Sequence, residues 1–453
     1  MEPLIKTAPP GPNARTILKR DAQVISHSMA RQYPLVLRNA NGMNLWDVDD
    51  NRYLDFTAGI AVMNIGWNHP KVVHAVERQI KILSHGAFLS FYSDVPVTFA
   101  ERLTGLLPPP LNQVYLSNSG TESVEAAMKL ARYRTKRKYF VSFYGGFHGR
   151  TYGALSLTTT KIVHRKGFGP FLPVIHVPFP NPYRPCDGER GASAEDTTLN
   201  IMEKVFKKEV SPEEVAAIFV EPIQGEGGYI VPPKTFLQEL RSMCDESGIL
   251  LVADEVQSGC YRIGTFLASE QFGVTPDIVC LSKAIGGGLP LGVTVASEEI
   301  MTWPPGSHSS TFAGNSIACA AGIAVLDIMK EPGFGDHVVH MGDYLLKGLR
   351  ELQQDYEIIG DVRGRGLMSA IELVRNRITK EPATEERAAS ILYAFESGLT
   401  LLPAGESAIR FCPPLTIEKE DIDTGLEILR ASIETAAPMR TINNVSETRD
   451  DCS

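Results

Sequence analysis

A chain of 453 residues is longer than one small core organises, because domains run roughly 100–200 residues each, so two unequal lobes are expected. Its basic residues are scattered and its net charge of -9 is modest for the length, which excludes an electrostatic footprint for nucleic acid and leaves any anionic ligand to a local site. No apolar run is long enough to cross a bilayer and no charged, apolar signal core opens the chain. The seven cysteines show neither CxxC pairs nor short regular spacings. The expectation is a cytoplasmic protein with no membrane partner, no structural metal and no disulfide framework.

Along the chain, Ala8-Pro9-Pro10-Gly11-Pro12 breaks regular structure, and Ala14 to Ala30 reads as a short helix lying over the body. Arg38 to Phe56 alternates between turn signals at Asn41-Gly42 and Asp49-Asp50-Asn51, which predicts short antiparallel strands. His69 to Leu83 has helical periodicity. From Gln113 onward short apolar runs alternate with amphipathic helical stretches, the pattern of a parallel sheet flanked by helices. The runs are Gln113 to Leu116, Tyr139 to Phe143, Val174 to Val177, Val215 to Val220, Ile249 to Val252, Ile278 to Leu281 and Gly292 to Ala296. A long helix, Ser316 to Lys330, leads out of this region, and Asp361 to Leu373 and Ser407 to Arg410 read as strands of a second lobe. The predicted fold is α/β: a large domain with a mostly parallel seven-stranded sheet, and a smaller α+β domain built from the N-terminal segment and the C-terminal region. The expected division is 1–65 for the arm and small-domain segment, 66–330 for the large domain, 331–437 for the C-terminal small domain and 438–453 for a disordered tail.

Four segments carry chemistry. Ser117-Asn118-Ser119-Gly120-Thr121-Glu122 follows a strand and opens a helix from Glu122 to Arg134, so amide N–H groups face outward beside a glycine that permits close approach. That suits a phosphate, although Ser119 and Glu122 equally make a plain capping box. Tyr144-Gly145-Gly146-Phe147-His148-Gly149-Arg150-Thr151 puts an aromatic face, an imidazole and a guanidinium on one loop, where the ring can stack on a planar cofactor or merely pack. The strand through Val252 and Ala253 ends in Asp254, a carboxylate that is costly to bury unless a cation such as a pyridinium meets it, and unremarkable if it faces solvent. Lys283 follows another apolar strand and precedes Gly286-Gly287-Gly288; desolvation there would leave an amine able to attack an aldehyde. Taken alone it is one more surface lysine, but a lysine, an acid-ended strand and a phosphate cradle at strand carboxyl ends form a constellation.

These segments, with Glu221-Pro222-Ile223-Gln224-Gly225-Glu226-Gly227-Gly228, Asp254-Glu255-Val256-Gln257, Thr311-Phe312-Ala313-Gly314-Asn315 and Gly364-Arg365-Gly366-Leu367-Met368, stand in a fixed order. From about Pro9 to Arg430 the chain resembles the class III (fold type I) pyridoxal-phosphate aminotransferases, which include 4-aminobutyrate, acetylornithine and ornithine aminotransferases and have archaeal amino-acid racemase relatives. The resemblance implies pyridoxal 5'-phosphate joined to Lys283, which also shuttles the proton, and Asp254 keeping the ring nitrogen protonated. It implies that Phe147 and Val256 sandwich the ring, Gln257 sits near its phenolic oxygen, Ser119, Gly120 and Thr121 bind the phosphate, and His148 belongs to the cofactor site. Thr311 resembles a phosphate contact supplied by a neighbouring subunit, which makes a homodimer or higher oligomer with shared sites the expectation. Arg410 resembles the arginine that forks onto a substrate carboxylate and Glu226 the acid that pairs with it and releases it, while the resemblance implies that Glu221 sits beside the substrate, Arg150 takes a second carboxylate and Ile60 lines the pocket. The plainer alternative for Glu221 and Glu226 is a structural ion pair. Asp94, in Phe91-Tyr92-Ser93-Asp94, departs from many 4-aminobutyrate aminotransferases and reads either as a discriminator near the site mouth or as a solvated helix-start acid.

The expected reaction moves an amino group from an amino acid or ω-amino acid of the 4-aminobutyrate, ornithine or acetylornithine type to 2-oxoglutarate. A racemase on the same fold is the nearest rival. A nicotinamide-dependent dehydrogenase is disfavoured because no GxGxxG opens a helix after a strand with an acid about 20 residues on. A cofactor-storing protein without turnover is disfavoured by the presence of both Lys283 and Asp254.

Overall fold

The computed structural model describes residues 2–186 and 193–436. Its centre is a seven-stranded sheet ordered Gln113–Ser117, Gly292–Ala296, Ile278–Leu281, Leu250–Asp254, Val215–Val220, Tyr139–Phe143, Val174–Val177. Gly292–Ala296 runs antiparallel to both neighbours and the other six strands run parallel. Every residue of Val215–Val220 and of Ile278–Leu281 is buried, as expected for strands covered on both faces. The helices Gly120–Thr135, Phe236–Ser247 and Ser316–Met329 supply apolar faces to this sheet. One consequence fixes the site: six carboxyl ends open on one edge.

The antiparallel strand brings Gly292 opposite Ser117. A Cβ on Gly292 would lie 2.3 Å from the Ser119 carbonyl oxygen, so this glycine allows the loop after Ser117 to close over the strand.

The smaller lobe uses both ends of the chain. Leu37–Asn41, Asn44–Asp47 and Arg52–Asp55 form an antiparallel meander, and Leu399–Thr400 pairs in parallel with its last strand, Leu399 beside Leu54 and Thr400 beside Asp55. A second sheet is ordered Ile359–Arg365, Met368–Asn376, Ala408–Phe411, Leu402–Ala404. The long amphipathic helix Phe334–Asp355 covers it with Leu345, Leu349 and Leu352. Among the described residues no helix is long and apolar enough to cross a membrane.

Several expected boundaries move. The first helix is Pro12–Val24, not Ala14 to Ala30: Pro12 occupies a first-turn position, and beyond Ile25 the Ser26 and Ser28 hydroxyls bond each other, favouring a turn over helix. The Asp254 strand is Leu250–Asp254; the Ile249 amide still serves the preceding helix end through Cys244, while Asp254 pairs with Cys280. The stretch Asp361 to Leu373 is a hairpin, Ile359–Arg365 with Met368–Asn376, turning at Gly366 with φ +50°. The tail expected at 438–453 lies outside the described residues.

Candidate active site

Lys283 follows the buried strand Ile278–Leu281 and begins the short turn Lys283–Gly286 with φ +47°, in the left-handed region that costs a residue bearing a Cβ about 1–2 kcal/mol. Ser282 Oγ donates to the Leu291 carbonyl at 2.8 Å and ties the turn to the strand that returns. Burial holds the Lys283 amine below its ordinary lysine value, against the opposing pull of Asp254 and Glu226. A desolvated amine at the carboxyl edge of a sheet is a nucleophile and a proton carrier.

Asp254 is the last residue of its strand and 5% exposed. One carboxylate oxygen is 2.8 Å from His148 Nδ1 and the other accepts from the Val256 amide at 3.1 Å. Burial alone would pull the imidazole down, but the Asp254 hydrogen bond and charge, helped by Glu221, outweigh it and raise the His148 pKa. His148 is in turn held by its own amide, which donates to Thr158 Oγ1 at 2.9 Å. The Asp254 carboxyl is therefore fixed through both oxygens, with the His148 ring behind it.

The helix Gly120–Thr135 starts two residues earlier than its sequence suggests. Ser119 Oγ accepts from the Glu122 amide at 3.3 Å, and Glu122 reaches back to the Asn118 amide at 2.6 Å, so the capping box exists with its return bond one residue further out. The Gly120 and Thr121 amides, ahead of the Ser123–Ser119 bond that begins the ladder, have no helical carbonyl to bond. A Cβ on Gly120 would meet Val256 at 2.9 Å, so the glycine brings this helix start against the residue two positions after Asp254. Thr121 Oγ1 lies 2.7 Å from Thr151 Oγ1, joining the helix start to the Phe147 loop. Phe147 is half-buried, and its amide donates to Glu221 at 2.8 Å.

Glu221 follows the buried strand Val215–Val220 directly and is 7% exposed; burial raises its pKa, against the amides of Gly225 and Phe147 that bind it. Arg410, on Ala408–Phe411, is 4% exposed, and its Nη2 is 2.8 Å from Glu226 Oε1. Burial opposes the charge of both partners, but their attraction wins, lowering the Glu226 pKa and raising that of Arg410. Among the described residues, Arg410 Nε and Nη1 have no hydrogen-bond partner. Both carboxylate-binding edges of a guanidinium include Nη2, so Glu226 on that atom blocks a forked carboxylate until it leaves. Gln257 Nε2 donates to the fully buried Tyr229 hydroxyl at 2.6 Å, and Arg410 lies 6.0 Å over the Tyr229 ring.

Three expected site residues stand further out. Ile60 is 44% exposed on the left-handed turn Ala58–Ala61, which neighbours the Arg410 strand through Cys412 Sγ and the Thr57 carbonyl at 3.3 Å. Arg150 is exposed, 5.6 Å over the Phe147 ring. Thr311 is exposed in the turn after Ser310, whose hydroxyl contacts Asn118. Asp94 is an exposed first-turn acid of Asp94–Thr104. Two neighbours escaped the sequence reading. His164 packs edge-on to Phe147 at 5.7 Å with Nε2 3.5 Å from Arg150, and nothing in its surroundings in sequence singles it out. Tyr229 follows the Glu221 to Gly228 motif directly, and that adjacency was its only signal.

The fit to pyridoxal phosphate rests on three features: a desolvated amine, a buried carboxylate whose oxygens are oriented by His148 and Val256, and a glycine-opened helix start whose first amides precede the hydrogen-bonded ladder. They suit an aldehyde, a ring nitrogen and a phosphate in turn. The family model for class-III aminotransferases matches residues 25–433. The chain is 40% identical over 421 residues to a probable 4-aminobutyrate aminotransferase of Bacillus subtilis, covering 92% of this chain and 96% of that protein. It is equally 40% identical to a 5-aminovalerate aminotransferase of Pseudomonas aeruginosa, covering 91% and 97%. An alanine/serine racemase of Pyrococcus horikoshii is 36% identical over 442 residues, covering 95% and 93%. Among solved structures, an amine transaminase of an uncultivated Pseudomonas species in its pyridoxal-phosphate-bound form superposes with a TM-score of 0.84 at 30% identity, covering 91% of this chain and 99% of that one. The chain is a pyridoxal-phosphate-dependent enzyme and belongs to the class-III aminotransferases.

Proposed function

We propose that the enzyme moves the amino group of an ω-amino acid, of the 4-aminobutyrate, ornithine or acetylornithine type, to 2-oxoglutarate. The observation that carries this reading is Arg410: buried, with two bare nitrogens and the third held by a carboxylate that can swing away. With Glu226 engaged, the pocket end is neutral and takes a substrate with no carboxylate there; with Glu226 withdrawn, the guanidinium takes a dicarboxylate. Two substrates of different charge then share one site. Arg150, outside the Phe147 ring, would hold the carboxylate of the ω-amino donor. The relatives named for 4-aminobutyrate and 5-aminovalerate act on this donor class.

When bound, pyridoxal phosphate supplies an aldehyde that joins amines and a ring that draws electron density from the carbon losing its proton. Lys283 would anchor it and, once displaced, accept that proton on its neutral amine and return it from the ammonium so formed. Asp254, steadied by His148, would keep a proton on the ring nitrogen. Gly120 and Thr121 would hold the phosphate through their amides, Ser119 shaping that turn and Thr311 reaching the phosphate of a partner subunit. Phe147 and Val256 would confine the ring, with Gln257 beside its phenolic oxygen, while Glu221 and Ile60 bound the substrate.

A second reading is racemisation, favoured by the similarity to the alanine/serine racemase and resting on the same lysine. A donor screen with 2-oxoglutarate as acceptor, run beside a chirality assay, separates the two. Glutamate formed from an ω-amino donor is expected. Inversion of a single enantiomer with no keto acid present, and no amino transfer from any ω-amino donor, would overturn the proposal.

A further inference from the structure

The acid that covers Arg410 rides on a loop closed at its base and clamped from outside. Gln224 and Ile230 exchange two backbone hydrogen bonds of 3.1 Å, and within them the Gly228 and Tyr229 amides donate to the Gly225 carbonyl at 3.1 and 3.2 Å. From the small domain, the Gly405 amide donates to the carbonyl of Glu226 itself at 2.9 Å. Arg363 then grips the loop a second time: its Nε and Nη2 donate to the Gly228 carbonyl at 2.9 and 2.7 Å. The remaining nitrogen, Nη1, is 2.7 Å from both Asp361 and Glu372. Glu372 is 4% exposed and also binds Arg184 Nε at 2.5 Å.

A guanidinium that spends two donors on one main-chain carbonyl, with two carboxylates fixing its other end, leaves that carbonyl little freedom. Gly228 has φ +129°, a conformation that favours glycine, and a Cβ there would stand 3.1 Å from Arg363 Nη2 and crowd it. Among the described residues Arg363 bonds to neither Lys283 nor Arg410, and it has no part in the chemistry at the amine.

We propose that Arg363 is a specificity-determining positioning residue: by holding the Gly228 carbonyl it keeps the Gly225–Tyr229 loop still, so that Glu226 covers and uncovers Arg410 by rotation of its side chain alone. This rests on the two-substrate reading of Arg410 given above. A still loop keeps the Glu226 carboxylate within reach of Nη2 whenever a donor without a carboxylate at that end is bound. Loosening it weakens the cover and leaves the bare guanidinium, which penalises the ω-amino donor and spares 2-oxoglutarate.

The test compares KM and kcat for 2-oxoglutarate and for the best ω-amino donor of the screen, in wild type, Arg363→Gln, Arg363→Lys and Glu226→Gln holoenzymes. Arg363→Gln is expected to raise the donor KM about tenfold, the scale of one lost charge-assisted hydrogen bond, with the 2-oxoglutarate KM unchanged or lower. Arg363→Lys, which keeps the charge but has one donor nitrogen in place of the two-nitrogen fork, is expected to fall between. A merely structural role would move both KM values together, or lower kcat for both half-reactions alike, and that result overturns the assignment. If Glu226→Gln shifts the KM ratio and Arg363→Gln does not, the latch is wrong and the two-substrate reading stands. If Glu226→Gln leaves the ratio unmoved, or the screen finds no ω-amino donor, both fall. Should Arg363→Gln not fold, Glu372→Gln, which removes one support behind the guanidinium, decides by the same ratio in the same direction.

Discussion

Asp254 shows how little one residue's identity says without its neighbours. A carboxylate at a strand tip is ordinary, but this one is buried, with one oxygen on His148 and the other on the Val256 amide. Both bonds survive in part in Asp254→Asn, so the fold should tolerate the change while the negative charge proposed to meet the ring nitrogen is lost. Turnover is expected to fall at least about 100-fold, the usual worth of a charge or proton-transfer partner, with a melting temperature within a few degrees of wild type. Steady-state rates and thermal melts on the same preparation check this, and a variant that loses stability but keeps its rate per folded molecule contradicts it. At this scale the sequence was most legible, because Lys283, Asp254, Glu221 and Arg410 each sit on or just after an apolar run whose strand character is plain. His164 and Tyr229 were not legible, since their place depends on which loops meet, and no local pattern encodes that.

At the scale of elements, the turns beyond the strands hold the site. Glu255, next to Asp254, points away from it and caps the following 3-10 turn, accepting the Ala268 and Ser269 amides at 2.8 Å each. Burial pushes its carboxyl up to about 7 from 4.5. An acid whose folded pKa is raised adds stability that is whole below its unfolded value near 4.5 and is lost as pH rises through about 7. A Glu255→Gln variant lacks this titration. The melting temperature of wild type relative to the variant is therefore expected to decline between pH 5 and pH 8, by the equivalent of roughly 3 kcal/mol for a shift of this size. A difference that stays flat with pH removes Glu255 as its source. Element boundaries were less legible than element types: the run ending at Val252 in sequence continues to Asp254 because the neighbouring strand offers Cys280 as a partner, and partners across a sheet are invisible along the chain.

Across the whole molecule, six parallel strands deliver their carboxyl ends to one edge, and the small domain, sewn from both chain ends, brings Arg410, Gly405 and Arg363 over it. The alternation of apolar runs and amphipathic helices announced the large sheet; the pairing of Leu399 with Leu54, 345 residues apart, had no such signal. The molecule also exposes large apolar side chains near one another in sequence, Leu89, Phe91 and Tyr92, with Phe312 beside Thr311, more than scattered surface positions would carry. These surfaces and the outlying position of Thr311 suit a second copy of the chain. Light scattering on the eluting holoenzyme is expected to give at least twice the chain's mass, and dilution that separates the copies should cost activity. An active monomer would contradict the shared site.

The central claim is that the amine of Lys283 carries the cofactor. Borohydride reduction of the holoenzyme, digestion and mass mapping test it most directly. The account predicts the reduced cofactor's mass on the peptide containing Lys283, and none there in Lys283→Ala; a label on another lysine, or a protein that takes up no pyridoxal phosphate and stays colourless, would contradict it.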